Sequence, residues 1–256
     1  FYMENKTVIG FIGAGNMAYA LIKGLLNNGF DANQINISDP NEELLLNRES
    51  ELKVTTYSDN TSLLSNSDII FFAVKPQVLS SVCLELKGVV KSKHLFVSIV
   101  AGIRSSDINR WLGGNFALIR TMPNTPALFQ TGVTGLFANE VVDNEQKTLV
   151  ESILSSVGEC FWVNEEKLID AITAISGSGP AYFFLLMQSM TQAGMALGLD
   201  EETANSLSIQ TAYGASLMAN KTGKDSTTLR AEVTSPNGTT QSAIESFQDQ
   251  NFEGIV

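Results

Sequence analysis

The stretch TVIGFIGAGNMAYALIKGLLNNG, residues 7–29, decides the fold of the N-terminal half. The stretch begins with a short run rich in β-branched residues, continues with glycines and ends with apolar residues at helical spacing. This order predicts a strand ending at Ile12, a tight turn and a helix. Gly13, Gly15 and Ala18 fill the pattern G-x-G-x-x-G/A. The first glycine permits the turn, the second lets a pyrophosphate approach the backbone, and the third small residue allows close helix packing. The stretch therefore predicts dinucleotide binding, with a ligand-free turn as the alternative.

An acidic residue follows the predicted second strand, residues 35–38. Asp39 lies 21 residues after Ala18, near the position where an acid binds the adenosine ribose. An aspartate here favours NADH, because its charge repels the 2′-phosphate of NADPH. Ser38 and Asn41 could instead hydrogen-bond that phosphate, and no arginine stands beside them in the sequence. The choice between NADPH and NADH stays open, and Asp39 as a plain turn residue is the alternative.

Strand-like and helix-like segments alternate through the first half. Further strands are predicted at about residues 54–56, 68–74, 95–100 and 116–121. Apolar strands separated by helices predict a parallel sheet covered on both faces, with ligands outside the carboxyl ends of the strands. The loops at those ends are AVKP at 73–76, SIVAG at 98–102 and TMPNTPA at 121–127. Lys75 is the cation among them, and it could contact cofactor phosphate or substrate or be an ordinary solvated lysine.

The second half is predicted to be helical. After one more strand in GVTGLFANE, residues 132–140, helices are predicted at 145–157, 165–175, 179–198, 200–220, 226–233 and 239–250. The boundary is expected near Asn164. The fold class is therefore α/β, with a Rossmann-type doubly wound domain at residues 3–164 followed by an all-helical domain at residues 165–256.

The segment SGSGPAYFFLLMQSMTQAGMALG, residues 176–198, predicts a helix that is apolar on most faces. Ser178 or Gly179 is expected to cap it after the preceding helix stops, with Pro180 in the first turn. Such a helix must be buried on nearly all sides. A second copy of the chain would supply that cover most simply, so we expect an obligate oligomer through this domain, with a monomeric bundle as the alternative.

Composition excludes several classes of function. Asp and Glu outnumber Lys and Arg by 27 to 16, a net charge of −11, which argues against a nucleic acid partner. Apolar runs such as IIFFAV, residues 69–74, have the length of strands, so no membrane span is expected. His94 is the single histidine, which excludes His-based triads and multi-His metal sites. Cys83 and Cys160 are expected to be reduced structural thiols in a cytoplasmic protein.

Five motifs together carry a resemblance to a known family. They are FIGAGNMA at 11–18, AVKPQ at 73–77, RTMPNTPA at 120–127, ITAISGSGPAY at 172–182 and VTSPNGTT at 233–240. The chain resembles pyrroline-5-carboxylate reductase from about Thr7 to Phe252. The resemblance implies hydride transfer from NADPH or NADH to the C=N bond of a cyclic imine carboxylate, the last step of proline biosynthesis. It also implies a helical domain that interlocks two subunits, often in a ring of five dimers, a decamer.

The resemblance also implies site residues. The cofactor is expected to contact Ile12, Gly13, Ala14, Gly15, Asn16, Met17, Asn60, Ala73, Val74, Lys75, Pro76, Ile99, Val100 and Ala101, and the position after the second strand adds Ser38 and Asp39. The substrate is expected near Thr173, our catalytic candidate for the ring nitrogen, and near Ser235, Gly238, Thr239 and Thr240.

Two positions depart from the family pattern. Asn237 stands where a glycine is common, and Asn tolerates left-handed backbone. Asp39 stands where a serine is often found, which leaves the cofactor preference open.

The residue types alone allow the same chemistry. The turn TSPNGTT, residues 234–240, leads into a helix whose N–H groups and hydroxyls could bind a carboxylate without any arginine; a plain helix cap is the alternative. A β-hydroxyacid dehydrogenase is a competing class, but it uses a helix lysine, and residues 180–198 contain no charged residue. A non-enzymatic dinucleotide sensor remains a second alternative.

Overall fold

The computed structural model describes residues 7–256, and the chain divides into two compact units between Ala181 and Tyr182. The first unit contains a β-sheet with flanking helices, and the second contains helices only. The expected start of the N-terminal domain at Met3 lies outside the described residues. The expected domain boundary at 164/165 differs from the division between these compact units, and it stays a prediction.

Eight strands of the first unit form one sheet. They are β1 (Ile9–Ile12), β2 (Ile35–Ser38), β3 (Thr55–Tyr57), β4 (Ile69–Phe72), β5 (Leu95–Ser98), β6 (Ala117–Met122), β7 (Gly132–Ala138) and β8 (Gly158–Trp162). Their order is β3-β2-β1-β4-β5-β6-β7-β8. The first six follow the Rossmann order and are parallel, which confirms the predicted class of fold.

Helices connect the strands and make up the second unit. They are α1 (Asn16–Asn27), α2 (Glu42–Leu52), α3 (Asn60–Ser65), α4 (Pro76–Leu86), α5 (Ser105–Leu112), α6 (Asn144–Leu154), α7 (Leu168–Ile172), α8 (Gly179–Ala196), α9 (Glu201–Thr222), α10 (Ser226–Glu232), α11 (Thr239–Asp249) and α12 (Phe252–Ile255). Short 3-10 turns occur at Ala32–Gln34, Thr125–Phe129 and Ser155–Val157.

The sheet departs from the prediction at one edge. Strand β7 runs antiparallel to β6, because the connection at residues 123–131 is shorter than the dozen or so residues that a parallel crossover requires. Strand β8 was not predicted. It is a half-buried edge strand whose residues alternate between exposed and partly buried, so it lacks the continuous apolar run of the inner strands.

Two hydrophobic layers cover the sheet, as predicted. Alternate strand residues point to opposite faces, so Phe11 stacks on Phe71 at 4.8 Å between ring centroids, while Phe72 stacks on Phe96 at 5.4 Å. Helices α1, α2 and α6 contribute to the first layer, and α3, α4 and α5 to the second. The two layers hold the carboxyl ends of the parallel strands at one edge of the sheet.

The expected helix stop at SGSGP is wrong. The backbone stays helical from Leu168 to Ala196, and a π-helical turn at Thr173–Gly177 joins α7 to α8. In this turn the Ser178 N–H donates to the Thr173 carbonyl at 2.8 Å, the wider spacing of a π turn. Ser178 has right-handed helical backbone angles rather than those of a cap. A wider turn lets the helix continue although Pro180 has no N–H to donate.

The apolar helix α8 is exposed in the single chain. Gly179 is its one buried residue, whereas Tyr182, Phe183, Phe184 and Leu185 are 57–64% exposed. The alternative of a helix buried inside a monomeric bundle therefore fails. By length and composition, Leu168–Ala196 is also the one helix in residues 7–256 that could cross a membrane, which is weak evidence by itself.

Candidate functional site

The loop between β1 and α1 lies against the ends of two neighbouring strands. The Gly13 N–H donates to the Ser38 carbonyl at 2.7 Å, and the Ala73 N–H donates to the Ile12 carbonyl at 2.8 Å. Gly13 has a φ of +104°, and a Cβ at this position would lie 2.5 Å from the Ala73 oxygen. Both the backbone angle and the close approach therefore require glycine.

The N-terminus of α1 is open. Gly15 is its N-cap and supplies no side-chain hydrogen bond, and a Cβ built on Gly15 would meet no atom within 4 Å. Gly15 and Asn16 are exposed. Free N–H groups and the helix dipole at such a terminus attract an anion. The space beside this terminus would accommodate a pyrophosphate group, and its binding here stays a prediction.

Asp39 contacts this loop directly. Its Oδ2 accepts from the Ala14 N–H at 2.9 Å, and its Oδ1 accepts from the Asn41 N–H at 2.9 Å. Ser38 is 1% exposed, and its hydroxyl donates to Oδ1 of Asn60 at 2.8 Å. The fold therefore brings Asp39, Ser38 and Asn60 together beside the glycine loop.

Two further loops lie at the same edge of the sheet. Ala73 and Val74 follow β4 and are half-buried, and the exposed Lys75 caps α4 with Pro76 in its first turn. The loop after β5 is adjacent, because its Ile99 N–H donates to the carbonyl of Phe72, the last residue of β4. In that second loop Val100 is buried and Ala101 is exposed.

Asn124 links the TMPNTPA loop to the π-helical turn. Its Nδ2 donates to the Ser176 carbonyl at 3.1 Å, and its Oδ1 accepts from the Val133 N–H at 2.9 Å. Pro180, four residues after Ser176, cannot donate the usual helical bond to that carbonyl. This role of Asn124 was not predicted from the sequence, although a proline inside an apolar helix signals a carbonyl that needs another donor.

The candidate Thr173 lies in the π-helical turn and is half-buried. Its hydroxyl donates to the Ile169 carbonyl at 2.7 Å. Because a hydroxyl carries one proton and two lone pairs, Thr173 Oγ1 is left as a hydrogen-bond acceptor. It therefore suits a ligand that presents an N–H group.

A buried arginine connects β6 to the helices around the π-helical turn. It was not predicted from the sequence. Arg120 on β6 is 2% exposed, and its guanidinium lies 3.1 Å from Asp170 Oδ1 and 3.5 Å from Glu166 Oε1. Glu166 also accepts from the N–H of Ser105 at 2.6 Å and from its hydroxyl at 3.0 Å. Since Ser105 begins α5 and Asp170 lies in α7, these charges tie β6 to the two helices.

The remaining candidates lie in the second unit, on the turn before α11. Asn237 has a φ of 59°, which confirms the left-handed backbone predicted for it. The Gly238 N–H donates to the Ser235 carbonyl at 3.0 Å. Gly238 is the N-cap of α11 and supplies no side-chain hydrogen bond. The N–H groups of Thr239 and Thr240 belong to the first turn of this helix, which has no side-chain cap.

His94 and the two cysteines have structural surroundings, as predicted. His94 is 1% exposed, and its Nδ1 accepts from the Lys91 N–H at 3.1 Å. Burial, together with Lys93 and Lys91, lowers the pKa of His94. Burial raises the pKa of Cys83 to about 12 and also raises that of Cys160, and both thiols are free. Residues 7–256 contain no cluster of three or more His, Cys, Asp or Glu that could hold a metal.

The Rossmann-order sheet, the glycine loop and the open terminus of α1 are typical of a dinucleotide-binding protein, and the family models and relatives that match the chain are those of NAD(P)-dependent oxidoreductases. Similarity to known proteins narrows the class. Residues 166–256 match the model for pyrroline-5-carboxylate reductase dimerisation, and residues 8–102 match the model for NADP oxidoreductase, coenzyme F420-dependent. Because a pyrroline-5-carboxylate reductase is 47% identical over 97% of the chain, the chain belongs to the pyrroline-5-carboxylate reductase family.

Individual relatives cover almost the whole chain. The chain is 47% identical to pyrroline-5-carboxylate reductase of Pseudomonas aeruginosa over 97% of this chain and 91% of the relative. The solved structure of the Coxiella burnetii enzyme has a TM-score of 0.91 and 42% identity, and covers 98% of this chain and 93% of its own. The Plasmodium falciparum enzyme, solved with NADP bound, has a TM-score of 0.88 and 31% identity, with 99% and 94% covered.

Proposed function

We propose that this protein reduces 1-pyrroline-5-carboxylate to L-proline with NADPH or NADH, the last step of proline biosynthesis. The observation that carries the proposal is the near-complete match to reductases of that name. The glycine loop adjoining Asp39 and the open terminus of α1 support the use of a dinucleotide.

The cofactor is proposed to bind at the carboxyl edge of the sheet. Gly15 suits the pyrophosphate because it is exposed, carries no side chain and leads into the open N-terminus of α1. The full proposed set is Ile12, Gly13, Ala14, Gly15, Asn16, Met17, Ser38, Asp39, Asn60, Ala73, Val74, Lys75, Pro76, Ile99, Val100 and Ala101. When bound, the reduced nicotinamide supplies the hydride.

Thr173 is proposed to orient the ring nitrogen of the substrate. A protonated imine presents an N–H group, and Thr173 Oγ1 is left as an acceptor by its bond to the Ile169 carbonyl. The hydroxyl would thus hold the charged nitrogen without supplying its proton. A protonated imine is already a good hydride acceptor, so positioning carries the catalysis and no strong side-chain acid is needed.

Ser235, Gly238, Thr239 and Thr240 are proposed to bind the substrate carboxylate. The uncapped N-terminus of α11 offers N–H groups to an anion, and the hydroxyls add further donors. Thr173 belongs to the first compact unit and these four residues to the second.

The helical domain, residues 165–256, is proposed to form a homodimer, with a decamer as the higher assembly. The exposed apolar side chains of α8 support this, because a surface of that kind is normally covered in solution. The net charge of −11 supports the absence of a nucleic acid partner. We further propose a cytoplasmic location and no membrane insertion.

The test is to follow the absorbance of reduced cofactor with pyrroline-5-carboxylate, using NADPH and NADH in parallel. Turnover with either cofactor is expected. Measurable cofactor binding without any turnover would contradict the proposed substrate and would favour a dinucleotide sensor. Turnover with a β-hydroxyacid and oxidised cofactor, but none with the imine, would favour a β-hydroxyacid dehydrogenase.

A further inference from the structure

An arginine that is distant in sequence lies against the glycine loop. Arg48 belongs to α2, and its Nε donates to the Ala14 carbonyl at 3.2 Å. Its guanidinium carbon lies 4.2 Å from the centre of the Tyr19 ring. The side chain is only 14% exposed. A hydrogen bond and a ring contact thus hold the guanidinium in place beside the loop.

Arg48 and Asp39 hold the same residue of that loop. Asp39 accepts from the Ala14 N–H, while Arg48 donates to the Ala14 carbonyl. No arginine stands beside Ser38 and Asn41 in the sequence. The fold supplies one from the second turn of α2, so the acidic residue at the end of β2 has a positive charge close by.

The outer part of the guanidinium is available for a ligand. Its Nη1 lies 3.9 Å from Oε2 of Glu51, which is too long for a hydrogen bond. Within residues 7–256, Nε makes the hydrogen bond of this side chain and the two Nη groups make none. Nη1 is within ion-pair distance of Glu51, but neither Nη group donates a hydrogen bond to the residues described, and the two lie in one plane that matches the oxygens of a phosphate group.

We propose that Arg48 binds the 2′-phosphate of NADPH and makes the protein prefer NADPH over NADH despite Asp39. The inference rests on the proposed use of these cofactors. Both oxygens of Asp39 already accept backbone N–H groups, which lowers the effect of its charge on an incoming phosphate. The adjacent guanidinium then decides the preference, since the 2′-phosphate is the one group that distinguishes the two cofactors.

The test measures cofactor binding without substrate, by titration of the whole protein. Arg48→Gln is expected to weaken NADPH binding about 10- to 100-fold, in line with the loss of a charge-assisted pair. NADH affinity is expected to stay within about twofold. Arg48→Lys should recover part of the NADPH affinity, because lysine restores the positive charge but not the paired N–H groups of the guanidinium. Arg110→Gln is the control, since Arg110 is an exposed arginine of the same unit paired with Asp107.

A second probe isolates the phosphate group. Adenosine 2′,5′-bisphosphate should bind the native protein more tightly than adenosine 5′-monophosphate, and Arg48→Gln should remove the difference. Equal losses for NADPH and NADH would overturn the inference, because Arg48 would then contact a part that both cofactors share. Unchanged binding of both would overturn it too. Failure of the native protein to bind either cofactor would instead contradict the proposed function.

Discussion

The side-chain amide of Asn124 donates a hydrogen bond to the backbone carbonyl of Ser176, the carbonyl that Pro180 leaves without its helical donor. The same amide accepts from the Val133 N–H. One buried side chain therefore joins the loop after β6, the start of β7 and the π-helical turn that carries Thr173. This contact explains how a proline can stand inside a helix that does not stop.

Asn124→Asp should impair the reaction by displacing the π-helical turn. The substitution keeps the acceptor for Val133 and removes the donor to Ser176, which places two acceptors face to face. We expect the free energy of unfolding to fall by about 1–3 kcal/mol. We also expect kcat to fall about tenfold or more, because Thr173 is displaced from its position. Denaturant unfolding and steady-state kinetics measure the two effects.

Asn139→Asp is the matched control for this variant. Asn139 is also 8% exposed, and its amide likewise accepts from one backbone N–H, that of Leu118, and donates to one carbonyl, that of Phe116. These partners lie at the opposite end of β6 from Asn124. A similar loss of stability with unchanged kcat is expected. An equal loss of kcat in both variants would show that Asn124 acts through overall stability alone.

Thr173→Val should separate substrate chemistry from cofactor binding. Valine preserves the shape of the side chain and removes the acceptor oxygen proposed to hold the ring nitrogen. We expect kcat/KM for the imine to fall about 10- to 100-fold, the effect of losing a hydrogen bond to a charged group. Cofactor affinity should not change, and Thr173→Ser should retain most of the activity. Native kinetics in the valine variant would remove Thr173 from the mechanism.

Two glycines of the same loop should respond differently to alanine. Gly15→Ala places a methyl group in open space at an ordinary backbone angle. Its melting temperature should match that of the native protein, while cofactor affinity should fall about tenfold because the methyl group blocks the approach of the pyrophosphate. Gly13→Ala should reduce stability by about 1–3 kcal/mol, because alanine is strained at a φ of +104° and meets the Ala73 backbone. Undiminished cofactor affinity in Gly15→Ala would contradict the proposed binding mode.

His94 should make stability depend on pH in the mildly acidic range. Its pKa in the folded protein is lowered by burial, so the unfolded chain, with a histidine pKa of about 6.5, takes up the proton first. The free energy of unfolding should be highest above that pH and should fall below it by at most about 1.4 kcal/mol per pH unit. His94→Phe should remove this slope, since the chain has no other histidine. If the native protein and His94→Phe lose stability equally between pH 7 and 5, the pH dependence does not come from His94.

Local rules predicted the parts of the structure that depend on neighbours in sequence. The glycine loop, the strand before Asp39 and the left-handed Asn237 follow from the conformations that these residues allow. The π-helical turn could not be predicted this way, because local rules let a proline begin a helix. Its continuation depends on Asn124, which lies 52 residues before Ser176 in the chain.

The other residues that the sequence did not predict depend on contacts between distant parts of the chain. Arg48 and Arg120 lie in segments that indicate only a surface helix and a buried strand. Their positions beside Ala14 and Asp170 arise from the packing of α2 on the glycine loop and of α7 on β6. Charged groups of this kind can be located only after the fold is known. The exposed α8, by contrast, was predicted to need a partner because its sequence is apolar on most faces.

The most direct measurement of the central claim follows the label from reduced cofactor deuterated at the transferring position into the product. After turnover with pyrroline-5-carboxylate, the product is isolated and the position of deuterium is determined by NMR. Direct reduction of the C=N bond predicts L-proline with one deuterium on the carbon that formed that bond. Proline without deuterium at that carbon, or the absence of proline while cofactor binds, would contradict the account.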